Sequence, residues 1–397
     1  MSEERMKILQ MLADGKITAD DAAKLLDAIA EPKRAAPPGA AFVSEVRRAV
    51  EDVIQSIPRE SIDEVKDVLR ETLREGREAA HHWRHWARGG WGARMAATLG
   101  GGHEASAPFE DVRATSATRL VVRNTRGDVR LSQSPDGQLR VRARRRVWAS
   151  DARDAERLAN RLPIDIREAG EVITVEGPGA RPFHERLRVD FDIAVPEALR
   201  IELHLVRGDV QAEALPRDLS ITLVKGDISA TDCGRITIQN VSGEILVQQA
   251  RGEVAARVIR GDLHIAGVSG DVTAATKRGD VTVRASTAGR VEISTVRGDV
   301  DLRAEAFSPG GGATVHTVNG DVAVRLGPQA RCRIEATTVA GTVSSALTLQ
   351  DVRADRRHLT GTLGAPDVSV RISATRGDIS LASLETEAAV VPQAPPA

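Results

Sequence analysis

A glycine followed by an acid, set between branched apolar residues, keeps returning through residues 205–302: LVRGDV, LVKGDI, NVSGEI, VIRGDL, KRGDVTV, TVRGDVDL. Gly208, Gly226, Gly243, Gly261, Gly279 and Gly298 stand 17 to 19 residues apart. Gly234, Gly252, Gly270 and Gly289 fall between them, so a beat of about nine runs inside the larger one. A fixed short period of this kind is the signature of a solenoid, in which one unit buries its apolar face only against the next.

The residues around each glycine say how a coil is built. Val206 and Val210, Val224 and Ile228, Ile259 and Leu263, Val296 and Val300 flank successive glycines, and alternation continues through Val281 and Val283 or Val322 and Val324. A period of two is that of an extended strand. Glycine supplies a backbone conformation that a β-carbon resists, and an adjacent acid bonds nearby amides. Each coil is therefore expected to hold two short strands and two bends, with coils stacked through parallel ladders about 4.8 Å apart. Gly320 extends the large beat, and Gly341, Gly361 and Gly377 are read as its later copies. On this reading Gly208, Gly226, Gly243, Gly261, Gly279, Gly298 and Gly320, with Asp209, Asp227, Asp262, Asp280 and Asp299, are structural turn residues. A branched side chain at Gly261 is expected to cost about 1–3 kcal/mol. Basic residues before the glycines and acids after them should form two columns along one edge.

Composition removes several functions. Lys plus Arg (55) and Asp plus Glu (56) cancel, which leaves no global field for nucleic acid or an anionic surface. Aromatic residues make up only 2%, with no Tyr, so stacking platforms for bases or sugars are scarce. Cys233 and Cys332, taken as about five coils or roughly 24 Å apart, are too distant for a disulfide and read as small buried or turn thiols. No cofactor, metal or catalytic residue is expected: the acids sit where the bends require them, and no GxxxxGK(S/T) phosphate loop is present.

Taken in order, residues 1–31 read as a helical hairpin, with Thr18 and Asp21 forming a capping box. Residues 32–41 (PKRAAPPG and flanks) form a linker. Residues 42–104 read as amphipathic helix: Phe42, Val46, Val50, Val53, Ile54 and Ile57 share one face, and Ile62, Val65, Val68, Leu69 and Leu73 another. Its end is rich in Trp and Arg. Trp83, Trp86 and Trp91, with Arg84 and Arg88, are the candidate contact for a protein partner or a membrane interface. Residues 105–200 are a β-rich cap with the first coils, including a helix near 151–161 and an arginine-bearing outer face over 138–147. Residues 201–384 are the Gly-Asp solenoid, and 385–397 a disordered tail. The fold class is thus mainly β, a parallel solenoid preceded by a short helical region. The start MSEERMKILQ is not a secretory signal, which gives a cytoplasmic, membrane-peripheral expectation.

The segment from Leu9 to Leu26 (Leu9, Leu12, Gly15, Lys16, Ile17, Thr18, Asp20, Asp21, Leu25, Leu26) resembles the SHOCT-like helical module of bacterial proteins. With DFDIAVP at 190–196 and the Gly-Asp copies between 208 and 378, the chain resembles the bacterial putative-adhesin β-solenoid family. The resemblance implies a non-catalytic scaffold linked to the cell-envelope stress response, with a protein partner, self or other, held by the N-terminal helices and no nucleic acid. Two rivals remain: a self-assembling filament of the bactofilin type, and a polysaccharide-acting β-helix enzyme. The repeated Arg-Gly-Asp is read as bend chemistry rather than receptor recognition, since Lys225 and Asn319 replace the first residue and Glu244 the third.

Overall fold

A computed structural model describes residues 103–149, 151–178, 187–364 and 368–384. The hairpin at 1–31, the linker at 32–41, the helical segment up to residue 102 and the tail at 385–397 lie outside the described residues. The cap contains β1 (His103–Arg113), β2 (Arg119–Arg126), β3 (Val129–Gln133), β4 (Leu139–Ala149), α1 (Ala152–Arg161), β5 (Asp165–Ala169), β6 (Val172–Glu176) and β7 (Leu187–Val195). The repeats follow as β8 (Arg200–Arg207), β9 (Val210–Glu213), β10 (Leu219–Lys225), β11 (Ile228–Thr231), β12 (Ile236–Ser242), β13 (Ile245–Gln248), β14 (Val254–Arg260), β15 (Leu263–Ala266) and β16 (Val272–Arg278). Then come β17 (Val281–Arg297), β18 (Val300–Asn319), β19 (Val322–Leu326), β20 (Cys332–Ala340), β21 (Val343–Ser345), β22 (Gln350–Ala354), β23 (His358–Leu363), β24 (Val368–Arg376) and β25 (Ile379–Ser383). Strand β1 is described from His103 onward.

Two parallel ladders run the length of the stack. One joins β8, β10, β12, β14, β16 and the second halves of β17 and β18; the other joins β9, β11, β13, β15, the first halves of β17 and β18, and β19. Register is strict: Ile201, Leu219, Ile236, Val254, Val272 and Val291 lie one above another, each 4% exposed or less. Identical pleat phase in every coil keeps the apolar residues in, because a slip of one residue would turn the whole set outward.

At both ends the spatial order departs from chain order. The β2–β3 layer lies between β6–β7 and β8–β9. The β24–β25 layer slots between β18–β19 and β20–β21, so the chain passes outward to build β20 to β23 and returns to fill the gap. This corrects the simple continuation of the beat. Gly377 stacks directly on Gly320, and Gly341 stacks on Gly377. Gly361 belongs instead to β23, which is antiparallel to β20. The inserted layer also separates the cysteines by six strand spacings, roughly 29 Å, rather than five. Both are free and buried.

The ends of the stack carry antiparallel strands: β4 on β7, β1 on β4 and β5 on β6 at one end, β23 on β20 and β22 on β23 at the other. Helix α1 packs on β1 and β4. Asp151 caps its start, the carboxylate accepting the Arg153 amide at 3.0 Å. The arginines of β4 face outward, with one exception that the alternation hid. Three arginines in a row force one inward, and Arg145 donates to the carbonyls of Leu162 (2.9 Å) and Pro108 (3.0 Å), closing the C-terminus of α1. The outermost strands are poor templates for further pairing: β1 carries Pro108 and every residue of β22 is exposed.

Candidate functional site

The Gly-acid edge is built by contact between coils rather than within them. Gly127, Gly208, Gly226, Gly243, Gly261, Gly279, Gly298, Gly320 and Gly377 all have φ between +130° and +147°. A β-carbon on Gly261 would stand 1.9 Å from the Gly243 carbonyl oxygen, and one on Gly226 2.0 Å from that of Gly208. Each glycine carbonyl therefore points at the α-carbon of the next coil, where only hydrogen fits.

The acids form a second inter-coil ladder. Asp128 Oδ1 accepts the Asp209 amide (3.0 Å), Asp209 that of Asp227 (3.0 Å), and Asp227 that of Glu244 (2.8 Å). The series resumes with Asp262 to Asp280 (2.7 Å), Asp280 to Asp299 (2.8 Å) and Asp299 to Asp321 (2.8 Å). It then follows the inserted layer, Asp321 to Asp378 and Asp378 to Thr342, both at 2.8 Å. The break falls at Glu244, whose longer arm leaves the Asp262 amide without a side-chain acceptor among the described residues. Arg207, Lys225, Arg260, Arg278 and Arg297 stack beside this ladder. Each Arg-Gly-Asp corner is thus clamped from above and below, not presented as a loop.

One element of the edge escaped the sequence reading. Three residues before the glycine, buried Asn or Thr side chains reach its neighbours: Asn240 Nδ2 donates to the Gly226 carbonyl at 3.0 Å, and Thr338 Oγ1 to that of Gly377 at 2.9 Å. The signal was present as N-x-x-G and T-x-x-G.

An open cleft of about 630 Å³ lies over the outer face of the cap. Pro108 and Glu110 of β1, Arg142, Arg144 and Arg146 of β4, Asp190 and Asp192 of β7, and Arg130 of β3 line it. Arg142 pairs with Glu110 at 3.0 Å, while Asp190 takes hydrogen bonds from Arg188 (2.8 Å) and Arg146 (3.0 Å). Among the arginines of this cleft Arg144 is the one without a polar partner among the described residues. Burial by itself would raise the Asp190 carboxyl, but hydrogen bonds from Arg188, the Asp128 amide and Arg146 outweigh it and hold the group below the usual carboxylate range. A carboxylate held ionised is no general acid at neutral pH. Because its folded pKa is depressed, its contribution to stability is present above the unfolded value and lost as pH falls through the folded one. Asp190→Asn is therefore expected to lower the urea midpoint at neutral pH, with the gap to wild type closing below about pH 4. A gap that widens on acidification would contradict the assignment.

The inserted layer also brings His316 Nδ1 within 2.8 Å of Ser373 Oγ, across 57 residues of sequence. The pair lacks what acyl transfer needs. His316 Nε2 is buried and unbonded, no carboxylate orients the ring, and burial pushes the imidazole pKa down. Burial likewise pushes the Cys332 thiol up to about 12, and raises that of Cys233, so neither is a nucleophile. No group of His, Cys, Asp and Glu suited to a metal occurs among the described residues. Trp83, Arg84, Trp86, Arg88 and Trp91, the sequence-derived contact residues, lie outside the described residues.

The comparison that decides the family is the model of the Toastrack domain (DUF4097), which matches residues 117–382. The chain belongs to the Toastrack family. The matched span runs from the layer of β2 to the last strand of the inserted layer, so the Toastrack domain includes both out-of-order layers. A SHOCT-like domain matches residues 3–34. Among solved structures, a putative cell adhesion protein from Clostridium sporogenes is 11% identical, covering 70% of this chain and all of its own, at a TM-score of 0.22. A putative adhesin from Bacteroides fragilis is 10% identical, covering 69% of this chain and 97% of its own, at 0.35. One from Parabacteroides distasonis is 11% identical with the same coverages, at 0.31. No curated protein matches the chain. No helix among the described residues is long and apolar enough to cross a membrane.

Proposed function

We propose that this Toastrack protein is a non-catalytic scaffold: a stiff β-solenoid that carries an N-terminal recruiting segment and acts in the bacterial envelope stress response. The observation that carries the reading is the fate of the acids. Those that recur through the chain are consumed as inter-coil hydrogen-bond acceptors, and in the remaining charged cleft Asp190 is held ionised by Arg188 and Arg146 and Glu110 is paired with Arg142. The SHOCT-like match over residues 3–34 supports the binding side of the proposal. Antiparallel strands over both ends of the stack weigh against a filament joined coil to coil.

The binding half of this reading rests on Trp83, Trp86 and Trp91 among arginines. Changing all three to Ala in the full chain is expected to abolish flotation with anionic liposomes or capture of the cognate partner, a loss of tenfold or more in affinity for an aromatic hot spot. Unchanged binding in both assays would remove these residues from the site. Screens with ester, glycan and nucleotide substrates are expected to be blank. Turnover abolished by one solenoid Asp substitution would overturn the scaffold reading.

A further inference from the structure

Two charges in the cap cleft are left over from its pairing scheme. Alternation puts Arg142 and Arg144 of β4, with Asp190 and Asp192 of β7, on the outer face over buried Val141, Ala143, Phe191 and Ile193. Register sets Asp192 between two arginines, Arg130 on one side and Arg142 on the other. Neither bonds it. Arg130 donates twice to Gln211 Oε1, at 3.1 and 2.8 Å, and Arg142 turns outward to Glu110. One row along, Arg144 lies between Asp190 and Pro108. Proline offers no charge, and Asp190 is already engaged: Arg188 and the Asp128 amide bond one carboxylate oxygen, Arg146 the other. Both Arg144 and Asp192 are exposed, and neither has a polar partner among the described residues.

The two are diagonal neighbours on adjacent antiparallel strands, which sets their backbones about 7–8 Å apart. Four arginines and five carboxylates line the cleft, so it has no net field to favour a simple anion or a polyanion. Its two unmet charges call instead for one anion and one cation at a fixed separation. A short peptide carries both at its termini. At about 3.3–3.6 Å per residue, the ammonium and carboxylate of an extended dipeptide stand roughly 7 Å apart, which matches the diagonal. The cleft volume of about 630 Å³ lies within the range of small-molecule sites, about 300–1,000 Å³.

We propose that the cap cleft binds a zwitterionic short peptide, with Arg144 holding its carboxylate and Asp192 its ammonium. The site adds a ligand to the cap and does not depend on what the N-terminal segment recruits. Calorimetric titration of the full chain at low ionic strength tests it, with alanyl-alanine, its N-acetyl form and its C-terminal amide as probes. The free dipeptide is expected to bind at least about tenfold more tightly than either capped form, since each cap removes one charge-assisted contact. Arg144→Gln should weaken the free dipeptide about tenfold and leave the amide, which has no carboxylate, unchanged. Asp192→Asn should weaken the free dipeptide to a similar extent and leave the N-acetyl form unchanged. Urea midpoints of both variants should match wild type, because neither side chain holds a partner within the fold. An absence of binding at millimolar dipeptide would overturn the proposal. So would free and capped forms that bind alike, or a substitution that weakens all three probes equally, which would make its residue a structural one.

Discussion

Gly261→Val is expected to cost about 4 kcal/mol, well above what the bend alone suggests. The positive φ accounts for about 1–3 kcal/mol with a branched residue. A β-carbon placed 1.9 Å from the Gly243 carbonyl adds an overpacking cost of about 1–3 kcal/mol, and neither backbone can yield without breaking register with its neighbours. Gly137→Ala is the control. Its φ of +69° is also left-handed, but nothing lies within 4 Å of the added carbon, and about 1–2 kcal/mol is expected. Urea midpoints of the two full-length variants make the comparison. Equal losses would mean that the glycine column serves only local backbone conformation and not the approach of coils.

Ile372→Asp is expected to cost about 4 kcal/mol or more, and to do so in the wrong place for a solenoid built in chain order. Ile372 is 2% exposed and lies between Val315 and Ala336. A carboxylate there has no partner to offset its desolvation. Because β24 separates β18 from β20, losing it should release 332–345 and the hairpin at 350–363, although both precede it in sequence. Hydrogen exchange read by peptide should accelerate over 332–383 together, with 200–300 still protected. Fraying confined to 368–383 would contradict the inserted layer.

The repeat was legible because a stacked coil imposes the same demands each time: apolar residues in phase, a glycine where carbonyls abut, an acid where an amide needs an acceptor. Gly208 to Gly320 and Asp209 to Asp299 show those demands directly. Chain order was the wrong guide beyond Gly320, since a spacing of 21 or 20 residues does not tell a neighbouring coil from one laid two layers out. Gly361 could be counted with the beat because its hairpin needs a glycine for another reason: a β-carbon there would meet Leu349 at 3.1 Å. The cap cleft was illegible, for Arg142, Arg146, Arg188 and Asp190 meet only through antiparallel pairing of β4 with β7. The Ser373–His316 contact likewise depends on the inserted layer, which no local pattern announces.

The central claim is that the repeating acids are spent on holding one coil to the next. Asp280 tests it, since its Oδ1 accepts the Asp299 amide while its own amide donates to Asp262. Asparagine keeps that oxygen, alanine removes it. In urea melts of the full chain at neutral pH, with and without millimolar calcium, Asp280→Asn should fall within about 0.5 kcal/mol of wild type and Asp280→Ala about 1–2 kcal/mol below it, with no effect of the cation. Asp280→Asn falling as far as Asp280→Ala, or a wild-type midpoint raised by calcium, would show that the column's charge is used for something other than the fold.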